Sequence, residues 1–362
     1  MSITNALAGG IFDTAALDPD DHTGPLRDLV DQIGKRSFDL KLGHRGRPEQ
    51  FDDTVWRQLE DTGLTRLTSD PDLDAGPAEL AVVLYGLARY AVAVPIAETA
   101  LLAAWLGDRS ALSLPDAGPM TIAIGTADDA NGSVTGTACD VPWAAISTVI
   151  LIARVGDELR TGRLADIDSR AGHNLAGEPR ESIRFTIPSD QLHPLDEQTR
   201  AEARLRGAWA RCMQMMGALD ATAALTVAHT RDRVQFGRPL SAFQSVQHAL
   251  AAMAGQIEQA RAAATLALAA ADDIGFCSAQ TQFAVTVAKV TIGRAAAEVS
   301  AIAHQLHGAL GVTAEHPLWL FTTRLRAWSE EFGTTNEYAQ RLGRDALSAA
   351  SPWDLSIGNF TT

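Results

Sequence analysis

Residues Arg231 to Ala260 read RDRVQFGRPLSAFQSVQHALAAMAGQIEQA. The pattern predicts a helix that ends near Arg233, a short turn carrying Phe236, Gly237 and Pro239, and a second helix from Ser241 or Phe243. In the second helix Val246, Leu250, Met253, Ile257, Ala260 and Ala264 recur at three and four residues, so they share one face. The turn sets an arginine, an aromatic ring, a permissive glycine and the amide of Gln244 beside a helix start. A guanidinium offers a planar donor fork and a helix start offers free N–H groups, which suits a phosphate-bearing ligand. A plain corner between two helices with a solvated arginine accounts for the same residues equally well.

Working outward, the chain of 362 residues has room for two or three compact units, and its 46% hydrophobic residues suffice for a large core. Abundant alanine favours closely packed helices. A net charge of −14 argues against nucleic acid, whose phosphates need the opposite sign, and obliges any anionic substrate to find a local basic patch. Cys139, Cys212 and Cys277 are scattered and form no CxxC, which reads as reduced core thiols in a cytoplasmic protein. The first residues lack the basic start and apolar run of a signal peptide, and Glu258 and Arg261 interrupt the alanine-rich stretch after Gln244, so no membrane span is expected.

Residues 1–24 are expected to be loosely ordered. Leu26 to Gly107 reads as helical: Asp52 or Asp53 caps a helix that Gly63 stops, and two more helices surround Pro95. Pro115 to Gly118 marks a boundary. After it TIAIGT, SVTGTA, STVILIA and SIRFTIP are short β-branched runs separated by Asp, Asn and Gly, the texture of strands. Helical patterning returns near Leu192, with one stripe at Cys212, Met216, Leu219 and Ala223 and another at Ile292, Ala295, Val299, Ile302 and Leu306. Asp272, Asp273 and Gly275 mark a turn between helices, and the tail after Ser351 is expected to wrap or fray. The order is an α+β chain: an N-terminal helical domain (1–115), a small middle β domain (116–192) and a C-terminal helical bundle (193–362).

The spacing R-x-x-F-G-x-x-x-x-x-F-Q, set by Arg233, Phe236, Gly237, Phe243 and Gln244, resembles the flavin-contacting corner of the acyl-CoA dehydrogenase family. Gln305 to Trp328, QLHGALGVTAEHPLWLFTTRLRAW, is similar to that family's Q-x-x-G-G-x-G-x-x-x-x-P-L segment; Gln305, Gly308, Gly311 and Pro317 are in register and Ala309 replaces one glycine. The resemblance is strong from about Arg204 to Ala349 and collinear before that. It implies the helical, β, helical order with a C-terminal four-helix bundle, FAD as cofactor, an acyl-CoA substrate, and an electron-transfer acceptor. The loop DPDLDAG departs from the family's Gly-Gly turn.

The resemblance also implies a glutamate that removes the α-proton of the thioester while the hydride passes to the flavin. Neither of the family's two positions for it holds an acid. In EEFGTTNEY, Phe332 stands where the glutamate belongs and Glu331 lies one residue early; at the other position stands Gly207, flanked by Arg206 and Ala208, with Glu202 more than a turn away. The family's T-E-x-x-x-G-S-D run, which serves the chain's own flavin, is replaced by IAIGTADDANGSV, and Trp143 matches only the tryptophan of a K-x-W-I-T run. What persists is the pair of segments that reach a neighbouring subunit's flavin. The sequence thus resembles the smaller, degenerate-site subunit of actinobacterial heterotetrameric acyl-CoA dehydrogenases of steroid side-chain degradation. That implies a homologous catalytic partner subunit, with Arg233 facing the FAD pyrophosphate, Phe236 and Gln244 beside it, and Gln305 and Gly308 near the adenosine end. Two other readings stand: a self-sufficient homotetramer using Glu331 as a displaced base, and a flavin-free structural pseudoenzyme. His304 and His307, three apart, lack an evident third metal ligand, so no metal is expected. No glycine-framed nucleophile turn accompanies a serine. Arg324 and Arg326 read as interface or solvated charges.

Overall fold

The computed structural model describes residues 23–41, 43, 46–69, 73–349, 351 and 353. Residues 1–22, part of the DPDLDAG loop and most of the tail after Ser351 lie outside them, and with them the expectations for those segments. The chain divides into two compact units, one formed by the described residues within Met1–Arg45, Gly76–Val92 and Ala208–Thr362, the other within Gly46–Ala75 and Ala93–Gly207.

The first unit is helical. It holds α1 (Gly24–Lys41), α3 (Pro77–Arg89), α6 (Gln244–Ile274), α7 (Ala279–His307), α8 (Leu318–Glu330), α9 (Thr335–Ser348) and most of α5 (Glu197–Asp232); α2 (Asp53–Asp61) and α4 (Ala104–Arg109) belong to the second unit. The α5 stripe expected from spacing, Cys212, Met216, Leu219 and Ala223, is fully buried. Gly217 lets α3 and α5 approach closely, since a Cβ there would sit 2.2 Å from the Tyr85 carbonyl oxygen. Gly275, at φ 74°, ends α6, and the Ser278 hydroxyl accepts the Thr281 N–H to start α7. A buried polar network crosses this unit: the Tyr85 hydroxyl donates to Asp220 at 2.5 Å, and Arg261 donates to the other Asp220 oxygen at 2.7 Å.

The second unit is built on a seven-stranded sheet of order β5-β6-β2-β1-β3-β4-β7. Its strands are β1 (Met120–Ala130), β2 (Ser133–Pro142), β3 (Thr148–Val155), β4 (Glu158–Arg163), β5 (Ile167–Arg170), β6 (Arg180–Pro188) and β7 (His193–Leu195). The four strands expected from sequence are β1, β2, β3 and β6. The other three carry arginine, aspartate or proline in place of β-branched runs, so composition hides them. One face of the sheet closes a core of Val149, Leu151, Ile183, Phe185 and Ile187, while β6 alternates buried and exposed positions because its other face meets solvent. Asp52 caps α2 by accepting the Val55 N–H at 3.2 Å, and Gly63 ends that segment at φ 74°, as the sequence implied. A seven-residue π-helix, Ala97–Ala103, leads into α4.

Two sequence expectations need correction. Arg324, read as an interface or solvated charge, is fully buried and donates to the Leu320 carbonyl at 3.0 Å. The three thiols are not all core residues: Cys212 is buried, whereas Cys139 and Cys277 are exposed.

Candidate functional site

The corner after α5 folds as its residues require. Phe236 at φ 53° and Gly237 at φ 75° form a two-residue turn that pairs β8 (Val234–Gln235) with β9 (Arg238–Pro239). Both turn positions are left-handed, which glycine adopts freely and phenylalanine only with strain. Phe243 then caps α6 in extended geometry, so Gln244 is the first residue of that helix. The Arg238 guanidinium lies 4.1 Å from the centre of the Phe243 ring, which in turn meets Phe236 edge-on at 6.2 Å.

Everything at this corner faces outward. Phe236 is 91% exposed. Arg233 and Gln244 are exposed too, and among the described residues the Arg233 guanidinium has no ion pair or side-chain hydrogen bond. A bare phenyl ring, an unpaired cation and a helix start on one exposed turn fit an anionic, aromatic-bearing group supplied from outside this helical unit.

Gln305 and Gly308 reach the same end of the helical unit. Gly308 closes α7 at φ 62°, and both residues are exposed. The two helix ends are tied by imidazoles: His229, in the last turn of α5, stacks on His307, in the last turn of α7, with ring centres 4.4 Å apart. His316, just before α8, meets His307 edge-on at 4.6 Å. Gly311 must be small, since a Cβ there would lie 2.8 Å from the His307 Cβ; exposed Ala309 meets no such limit. Burial pushes the His307 ring down to about 4, assisted by the three neighbouring histidines. Burial also lowers His229, His304 and His316. His304 turns away from this group and bonds Thr322 Oγ1 at 3.0 Å, so the pairing of His304 with His307 suggested by spacing is not the one the fold makes. The trio could not be read from sequence because His229 lies on another helix and His316 beyond a turn.

The acids nearest the two base positions, Glu331 and Glu202, are each held by an arginine. Glu331 accepts the Arg211 Nε–H at 2.7 Å, with side-chain exposures of 18% and 2%. Arg211 also donates to Gln214 Oε1 at 2.6 Å and faces the Phe332 ring at 5.5 Å. Lys289, itself 1% exposed, donates to the carbonyls of Trp328, Ser329 and Glu331, neutralising the carboxyl end of α8 and fixing the turn that carries Glu331. Burial holds the Lys289 ammonium below the usual lysine range and drives the adjacent Cys212 thiol up to about 12. Sequence reasoning missed Arg211 and Lys289, two cations inside apolar stripes. Glu202 is paired with Arg206 at 2.8 Å.

The stretch IAIGTADDANGSV forms β1, an Asn131–Gly132 turn and the start of β2. β1 is paired on both sides, antiparallel to β2 and parallel to β3, so most of its backbone donors are spent on the sheet. Trp143 is 4% exposed and meets Phe51 edge-on, a core position in the second unit.

Residues 202–347 match the family described as acyl-CoA dehydrogenase, C-terminal domain. The acyl-CoA dehydrogenase IpdE2 of Mycobacterium tuberculosis is 29% identical over 309 residues, 81% of this chain and 86% of its own length. The C-terminal part of this chain, residues 202–347, thus matches the acyl-CoA dehydrogenase C-terminal domain. The fold agrees across nearly all of the chain. A chain of the ChsE4-ChsE5 complex from Mycobacterium tuberculosis superposes with a TM-score of 0.79 at 18% identity, covering 93% of this chain and all of that one (100%). A chain of the Tcur3481-Tcur3483 steroid ACAD gives 0.77 at 22% identity, covering 90% and 98%. The α+β fold expected from sequence is therefore that of the acyl-CoA dehydrogenases, a family of oxidoreductases that generally bind FAD. No helix among the described residues is long and apolar enough to cross a membrane.

Proposed function

We propose that this chain is the flavin-completing subunit of an FAD-dependent acyl-CoA dehydrogenase, works with a homologous catalytic subunit, and lacks the base itself. The observation that carries the reading is the contrast between its two halves of machinery. The Arg233 corner is assembled, exposed and, among the described residues, unpaired, while Glu331, the acid one residue before the base position, is tied to a buried arginine.

Arg233 binds the pyrophosphate of the partner's FAD through its donor fork, and the start of α6 adds the favourable end of a helix dipole. Phe236 and Gln244 flank that contact. Gln305 and Gly308 approach the adenosine end, where Gly308 keeps side-chain atoms out of the way. Bound FAD supplies the hydride acceptor, and the carboxylate that removes the α-proton of the acyl-CoA belongs to the partner subunit. The assembly introduces an α,β double bond, passes electrons to a separate electron-transfer acceptor, and works in the cytoplasm. A steroid-derived or similarly bulky acyl group is favoured by the likeness to the Tcur3481-Tcur3483 steroid ACAD. The three-part division at residues 115 and 192 is the domain organisation that goes with this reading.

The test is flavin absorbance and native mass of the chain purified alone and co-expressed with the homologous subunit. The expected result is a colourless chain alone and a complex holding about one FAD per pair of chains, with Arg233→Ala lowering flavin retention by about tenfold or more, the loss of one or more charge-assisted hydrogen bonds. A yellow, tetrameric chain with one FAD per subunit overturns the proposal, as does unchanged flavin content in the Arg233→Ala complex.

A further inference from the structure

We infer that His229, His307 and His316 form a binding site for a borderline divalent cation, zinc(II) by the chemistry of its ligands. The inference goes beyond the flavin reading and does not depend on it. One ring nitrogen from each of the three lies within 4.8 Å of one from each of the others. A cation about 2.1 Å from each nitrogen needs those nitrogens about 3.4 Å apart in a tetrahedral site. The required closure is within the reach of small side-chain rotations.

His307 is already set as a ligand. Its Nδ1–H donates to the Ala303 carbonyl at 2.7 Å, which leaves the lone pair on Nε2. That Nε2 is buried, in a residue only 5% exposed, and has no hydrogen-bond partner. A buried acceptor with nothing to accept is costly, and a cation held between neighbouring imidazoles removes the cost. His229 and His316 are half-buried, so the cluster opens to solvent on their side and a water can take the fourth position. His316 is the adjustable member: its Nδ1 accepts the Leu318 N–H at a long 3.2 Å, a bond that ring rotation toward a cation gives up. Three imidazoles with no thiolate select zinc(II), copper(II) or nickel(II) over magnesium or calcium, which want oxygen. The bound ion would fasten the ends of α5 and α7 to the segment before α8, bracing the end of the unit that carries Arg233, Gln305 and Gly308.

The test uses the full chain purified without a polyhistidine tag and stripped with a chelator. Cobalt(II) is titrated in and its visible d–d absorption followed, and zinc(II) is then added as competitor. The expected result is a band that saturates near about one equivalent and is abolished by zinc(II). His307→Ala and His229→Ala should each weaken binding by about tenfold or more, while His304→Ala leaves it unchanged. No saturating band in the folded chain overturns the inference, and so does a band of unaltered affinity in His229→Ala. Circular dichroism checks that the variants fold. Should His307→Ala not fold, His229→Ala decides, since that residue is half-exposed. No flavin is involved, so a failure here leaves the proposed function standing, and the converse holds.

Discussion

Replacing Glu331 separates a structural acid from a catalytic one. Its carboxylate sits 2.7 Å from Nε of Arg211, whose side chain is 2% exposed. Removing one partner of a buried ion pair costs about 3–5 kcal/mol, because the remaining charge stays buried. The Glu331 side chain is 18% exposed, and water entering from that side returns part of the loss, so Glu331→Ala should cost about 2–3 kcal/mol. Glu331→Gln keeps an oxygen facing Arg211 and should cost about 1–2 kcal/mol. For a unit of this size the alanine variant should melt lower by roughly 4–12 °C. The assay is thermal melting of the assembled complex beside its acyl-CoA dehydrogenation rate. Loss of stability with turnover within about threefold of the parent is expected for Glu331→Gln. A general base gives the opposite signature, since its removal costs about a hundredfold or more in rate. A Glu331→Gln complex that melts with the parent but loses turnover on that scale refutes the reasoning and makes Glu331 the base.

Three further outcomes test the rest of the structure. Asp220→Ala strips the shared acceptor from Tyr85 and from Arg261, whose Asp220 partner has a side chain only 1% exposed; a loss of about 3–5 kcal/mol in urea unfolding is expected. A thiol reagent under native conditions should modify Cys139 and Cys277 but not Cys212, whose thiol is buried and raised to about 12, until the protein unfolds. Asp196 accepts the Thr199 N–H at 2.5 Å at the start of α5, which holds its carboxyl below the ordinary 3.8. Asp196→Ala should therefore cost about 1 kcal/mol at neutral pH. The sign follows from proton uptake: below 3.8 the unfolded chain protonates first, so the stabilisation is full above that value and disappears as pH falls through the lower folded one. Urea midpoints of the parent and the variant should converge in that acid window.

What could be read in the sequence and what could not divides along a physical line. The α5–α6 corner was legible because its information is local: a left-handed Phe-Gly turn, a proline and a helix start within a dozen residues dictate one geometry. The Gly275 stop was legible for the same reason. The arrangement around Glu331 was not, since it depends on Arg211 from α5 and Lys289 from α7, whose places inside apolar stripes say nothing about what they meet. Yet that arrangement bears directly on the proposed absence of a base. A catalytic carboxylate needs an apolar pocket and no fixed counter-cation, so that taking a proton leaves nothing stranded. For Glu331 to take a proton it would have to abandon Arg211 in a site 2% exposed, at a cost comparable to breaking the pair outright. Lys289 meanwhile pins the turn by the Glu331 carbonyl, against the displacement that would bring the side chain to a substrate. On the proposed function, the base is therefore absent and not merely shifted by one residue. Glu331, Arg211 and Lys289 form a charged clasp between α5, α7 and the end of α8, while the exposed corner after α5 and the end of α7 carry the residues that the proposed function assigns to a neighbour's flavin.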